Sequence, residues 1–222
     1  MLFTRMSGLN LLLGLSLAIT GCRNTQHAHV LDSDDKDMVG SHTAGAETWK
    51  PLVEQSVARL MGRSMSTIHQ ASHLTIAGND ACPKRTVCFV GVENKSGEEI
   101  GDFREQIYQQ IDSQVSSHDQ FRMISRRYVE AAMGECRCRP EVLFLPERQR
   151  ELQAALERVD QPFDYLLFAT ITSGTTNSNG DYQRNYTLTL DLLNIHTGES
   201  IKESAELRKG YHKSLLGKIK HY

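Results

Sequence analysis

Arg85-Thr86-Val87-Cys88-Phe89-Val90-Gly91-Val92 is, after its leading arginine, an unbroken run of β-branched, aromatic and small residues, the pattern of a strand buried on both faces. Turn-forming residues at 94–97, Asn-Lys-Ser-Gly, close it. Asp102 with Glu105 three positions later then has the form of a capping box, and Phe103, Ile107, Ile111 and Val115 line one face of a helix predicted to reach about residue 117. A short strand at 121–125 and a helix at 127–133, stopped by Gly134, come next. Strand, helix, strand, helix is the signature of an α/β domain.

Working outward, Trp49, Leu52, Val53, Val57, Leu60 and Met61 recur at helical spacing and predict an amphipathic helix over 48–62. Thr48 is placed to cap it, with Pro51 in the first turn. Residues 64–75 either extend this helix or form a second short one, and Gly78-Asn79-Asp80 breaks the chain. Downstream, a helix fits 147–159 through Leu152, Leu156 and Val159. Residues 164–173, with Tyr165-Leu166-Leu167-Phe168-Ala169-Thr170-Ile171 at their centre, are apolar on both faces and predict a central strand. A polar loop over 174–184, a strand at 186–194, a turn at 196–199 and a strand at 201–207, whose Ile201, Glu203, Ala205 and Leu207 share a face, make an antiparallel meander. The expected fold is α/β (α+β), a mixed sheet of about four to five strands with helices packed on it, occupying residues 47–209.

The amino terminus has a different grammar. One positive charge, Arg5, precedes an apolar stretch from Leu9 to Thr20 that is too short to span a bilayer of roughly 30 Å as a helix, which is the layout of a secretory signal. Ile19-Thr20-Gly21-Cys22 resembles a bacterial lipobox, which implies removal of residues 1–21 and acylation of Cys22. Two or three acyl chains, at about 0.8 kcal/mol per buried methylene, anchor a protein firmly to a membrane. Arg23 is not the aspartate that commonly retains enterobacterial lipoproteins on the inner membrane, so the implied address is the outer membrane, facing the periplasm. Residues 22–46 are rich in His, Asp, Ser, Thr and Gly and lack the apolar side chains needed to offset ordering entropy, so they read as a disordered tether. Fully extended it reaches at most about 80 Å, and as a flexible coil about 25 to 30 Å on average. At the other end, residues 210–222 form a basic tail; Arg208, Lys209, Lys213, Lys218 and Lys220 suit an acidic protein face or anionic lipid, or simple solvation.

A formal charge of −2, or −3 once the segment carrying Arg5 is removed, excludes a general polyanion binder, and nucleic acid is not an expected partner. No cofactor motif, nucleophile elbow, phosphate loop or His-Glu-x-x-His is present, and Gly91, Gly97 and Gly101 lack the dinucleotide-binding spacing. His27, His29 and His42 in the tether, and His69 and His73 four apart, read as solvated side chains before metal ligands. With Cys22 acylated, Cys82, Cys88, Cys136 and Cys138 remain for an oxidising compartment. Two disulfides are expected, Cys136 and Cys138 each joining one of Cys82 and Cys88, with a four-thiolate zinc site as the alternative.

The Trp49 helix, Val87-Cys88-Phe89-Val90-Gly91-Val92-Glu93-Asn94-Lys95-Ser96, Phe121-Arg122-Met123-Ile124-Ser125 and Thr187-Leu188-Thr189-Leu190-Asp191-Leu192-Leu193-Asn194-Ile195-His196-Thr197-Gly198-Glu199 together resemble the LpoB family of penicillin-binding-protein activators over roughly residues 47–209. The resemblance implies a module like the amino-terminal domain of TolB. It also implies an outer-membrane lipoprotein without chemistry of its own that binds a class A penicillin-binding protein, a bifunctional peptidoglycan synthase, and stimulates it. The chain departs from enterobacterial members in its short tether without proline and in an insertion at 136–146. A structural or assembly lipoprotein of a secretion or flagellar apparatus is the alternative use of the same module.

Overall fold

The computed structural model describes residues 44–72, 84–178 and 181–211. In chain order the elements are α1 (Ala46–Ser72), β1 (Arg85–Lys95), α2 (Phe103–Ser116), β2 (Phe121–Met123), α3 (Arg126–Glu135), a 3-10 turn (Pro140–Val142), α4 (Pro146–Glu157), β3 (Tyr165–Ser178), β4 (Asp181–Asn194) and β5 (Ser200–Tyr211). The signal segment, Cys22, the tether up to residue 43, the region around Cys82, and residues 212–222 lie outside the described residues, as do the side chains of His69 and His73.

The strands form one mixed sheet in the order β2-β1-β3-β4-β5. β1 lies parallel to both β2 and β3, and β3, β4 and β5 run antiparallel as the expected meander. Alternation along the strands feeds two cores. On one face Val87, Phe89, Leu167, Ala169, Ile171, Leu188, Leu190 and Leu192 pack against Trp49, Leu52, Val53, Val57 and Leu60 of α1 and Ile107, Ile111 and Val115 of α2. On the other, Cys88, Val90, Leu166 and Phe168 meet Val129 and Ala132 of α3 and Leu152, Ala155 and Leu156 of α4. β3 contributes to both, which is why its run is apolar on both faces.

Several boundaries differ from expectation, each for a local reason. α1 starts at Ala46 because the Gly45 carbonyl accepts the N–H groups of both Thr48 and Trp49. Thr48 is therefore buried inside the first turn, its hydroxyl 3.3 Å from Glu47, and Pro51 falls past that turn, where it leaves the Glu47 carbonyl without an i→i−4 donor. The helix continues without a break to Ser72. No capping box forms at α2: Asp102 has helical φ and ψ and makes no side-chain cap bond, while Glu105 reaches across to Arg126. Gly134 lies within α3, and the reversal is made instead by Arg137 at φ 51, with Cys138 N–H returning to the Met133 carbonyl and Arg137 N–H to that of Gly134, a Schellman pattern. α4 ends at Glu157, leaving Val159 46% exposed. The largest revision concerns 174–184: β3 and β4 stay paired through Ser178 and Asp181, so the expected loop is the far half of a long hairpin. Its Thr175 and Thr176 favour strand geometry although neither is buried.

Candidate docking surface

β1 is the strand from which the two crossovers part, since α2 follows it onto one face of the sheet and α3 follows β2 onto the other. Such a switch point opens a crevice beside the carboxyl ends of the strands. Here it measures about 430 Å³ and is floored by Phe89, Val90 and Gly91 with Tyr108, Arg126 and Glu130 on its walls. The Tyr108 ring stacks on Phe89 at 4.3 Å and 9°, and the Arg126 guanidinium sits 4.3 Å from the Tyr108 centroid. Arg126 also bridges the crevice, donating to Glu105 of α2 at 2.5 and 2.6 Å and to Glu130 of α3 at 2.6 Å. Arg126 holds the Glu105 carboxyl below its ordinary range, and burial raises both Tyr108 and Asp112. Tyr108 thus keeps its proton at neutral pH, and Glu105 and Glu130 are committed to the Arg126 guanidinium.

A second constellation joins residues 44–49 to the long hairpin. The Glu98 side chain, 7% exposed, accepts from the Ala44 amide at 3.1 Å and the Tyr186 hydroxyl at 2.8 Å and pairs with Arg184. Nearby, Glu47 accepts from Lys209 at 2.7 Å, both side chains about 15% exposed. Burial pushes the Glu47 carboxyl up, but the Lys209 hydrogen bond and charge together with backbone amides outweigh it and hold the carboxyl below its usual range. Trp49 meets Tyr186 edge-on at 5.5 Å, and Tyr182 stacks on Tyr211 at 4.4 Å. The start of α1 is therefore fixed against β4 and β5.

Cys88, Cys136 and Cys138 are free thiols in this structure. Burial pushes Cys88 far up, and burial together with the neighbouring Cys136 and Glu151 pushes Cys138 up to about 12, so neither is a thiolate near neutrality. Among the described residues no group of three or more His, Cys, Asp or Glu is arranged to hold a metal. Of the basic residues near the end, Arg208 and Lys209 lie on β5 and the rest fall outside the described residues. The Arg126 and Glu98 clusters had no signal in the sequence, because each joins residues brought together only by the sheet order.

A family model described as peptidoglycan-synthase activator LpoB matches residues 54–203. Among solved structures, the chain is similar to the LpoB C-terminal domain from Salmonella enterica at 12% identity, covering 72% of this chain and 97% of that one with a TM-score of 0.47. For the LpoB C-terminal domain from Escherichia coli the figures are 14% identity, 71% and 97% coverage and a TM-score of 0.44. For a lipoprotein from Neisseria meningitidis they are 17%, 61%, 92% and 0.39. No curated protein matches the sequence.

Proposed function

We propose, from the premise that this chain belongs to the LpoB family of peptidoglycan-synthase activators, that it is an outer-membrane lipoprotein which binds a class A penicillin-binding protein in the periplasm and raises its activity. The family match across 54–203, which takes in the second core and most of the first core and of the sheet, is the observation that carries this reading. In it, residues 1–21 are the signal, Cys22 bears the lipid, 22–46 are the tether and 47–209 the regulatory body, which acts by binding and not by bond-making. The crevice between α2 and α3 is the surface we assign to the synthase. Its Glu105 and Glu130 are already locked by Arg126, so less side-chain ordering remains to be lost on association.

The oxidised form expected in the periplasm joins Cys136 and Cys138 to Cys82 and Cys88, and non-reducing mass spectrometry decides between it and the free thiols of the present structure. The central test is reconstitution of the purified chain with each bifunctional synthase of its own cell, measuring glycan polymerisation and peptide cross-linking. Stimulation of one of them is expected; unchanged rates for all of them overturn the reading.

A further inference from the structure

The segment between α3 and α4 carries more than packing requires. Cys138 and Leu143 plug the second core, yet the next two residues, Phe144 and Leu145, are 59% and 56% exposed. Phe144 lays its ring on Phe168 at 5.2 Å and 20°, so its position is set while much of it meets solvent. Single exposed apolar residues are ordinary, but two adjacent bulky ones at a turn are a patch that calls for an occupant.

The surroundings say which kind. Arg137, Arg139, Arg148 and Arg150 are all exposed, and within 137–150 only Glu141 and Glu147 oppose them, an excess of two positive charges in a chain that is negative as a whole. Arg148 pairs with Glu151 at 2.7 Å, whereas Arg137, Arg139 and Arg150 form no ion pair with any described residue. An exposed aromatic and leucine in a segment of net positive charge, three of whose four arginines form no ion pair with a described residue, complement a surface that is apolar beneath and anionic on top. That is the boundary of an anionic bilayer, where apolar side chains enter below the headgroups and arginines meet the phosphates. We propose that residues 137–150 form a membrane-contact loop, with Phe144 and Leu145 entering the headgroup boundary and Arg139 and Arg150 held on lipid phosphates. The tether proposed for residues 22–46, whose sequence is that of a coil averaging about 25 to 30 Å, puts such a surface within reach of the body. The contact is with lipid alone, so it stands or falls separately from synthase activation.

Sedimentation with vesicles tests it on residues 23–222, the mature chain without Cys22 and hence without lipid or the apolar signal segment. Pelleting is expected with phosphatidylcholine vesicles containing about one third phosphatidylglycerol and not with pure phosphatidylcholine, since the attraction is electrostatic and falls with salt. Leu145→Glu should remove most of the pelleting. Arg139→Glu combined with Arg150→Glu should weaken it by roughly thirtyfold or more, each arginine contributing through the negative surface potential and each glutamate adding repulsion. Circular dichroism of both variants is expected to match the parent, because the altered side chains are exposed. Retention of binding by a chain ending at Tyr211 supports the loop against the basic tail. Absence of pelleting, Leu145→Glu binding as well as the parent, or loss confined to the tail deletion overturns the proposal. So does weakened synthase binding by Leu145→Glu with vesicle binding untouched, because the patch then serves a protein.

Discussion

Replacing Glu98 by glutamine removes one charge from a side chain only 7% exposed while keeping its shape, which isolates the electrostatic share of the junction between Ala44 and the β4–β5 hairpin. A hydrogen bond to a charged group contributes about 1.5 to 3 kcal/mol, and breaking a fully buried ion pair costs about 3 to 5. Arg184 is 28% exposed and can turn towards water, which argues for less than the buried-pair figure, and glutamine still accepts one hydrogen bond. A loss of about 2 to 3 kcal/mol follows, corresponding to a fall in Tm of roughly 5 to 10 °C for a domain of this size. Urea unfolding followed by circular dichroism measures it. Combining the change with Tyr186→Phe completes a double-mutant cycle, because the Tyr186 hydroxyl donates to the same carboxylate at 2.8 Å. A coupling near 1 kcal/mol is expected, and a single-variant loss under about 0.5 kcal/mol, or additivity within that margin, refutes the reasoning.

Leu190→Ala should cost about 2 to 5 kcal/mol by the same assay, since Leu190 is fully buried in the middle of β4, with Ala169 and Glu203 beside it on β3 and β5. The depressed pKa of Glu47 contributes stability that is complete above its ordinary value of 4.5 and is lost as pH falls through the lower folded value; Glu47→Gln should thus be less stable than the parent at pH 7 and converge with it in acid, as pH-dependent unfolding would reveal. Arg137→Gly relieves a left-handed non-glycine residue at φ 51 and should raise stability by a few tenths to about 1 kcal/mol in urea titration. Arg126→Ala should leave the Tm within a few degrees, because its ion pairs are exposed, yet lower stimulation of the synthase in the reconstituted assay.

Order and type of the elements were legible because apolar periodicity survives in each: Ile107, Ile111 and Val115 for α2, Leu188, Leu190 and Leu192 for β4. What was illegible had its cause in pairing over distance. Residues 174–178 look like a loop because both faces of that stretch lack apolar cover, and only the partner strand reveals the ladder. Gly134 has the composition of a helix stop, but Cys136 and Cys138 amides could close the end further on, with an arginine accepting the conformation that glycine usually takes. Glu98 and Arg184 are 86 residues apart, and Glu105 and Arg126 belong to helices on opposite faces of the sheet. No spacing rule joins either pair.

The register of β1 against β3 slips between Phe89 and Gly91, and the glycine there has φ 143. Before the slip, Val87 and Phe89 serve one core and Cys88 and Val90 the other; after it, Val92 rejoins Val87 and Phe89, so odd and even positions exchange allegiance midway. Removing residue 91 outright would restore a plain two-step rhythm with every later side chain still on its own side, whereas giving that position a side chain forces it into a backbone shape other residues rarely adopt. Here a missing residue is a milder change than a different one, and relatives of unequal length are expected to part company at this point of the strand.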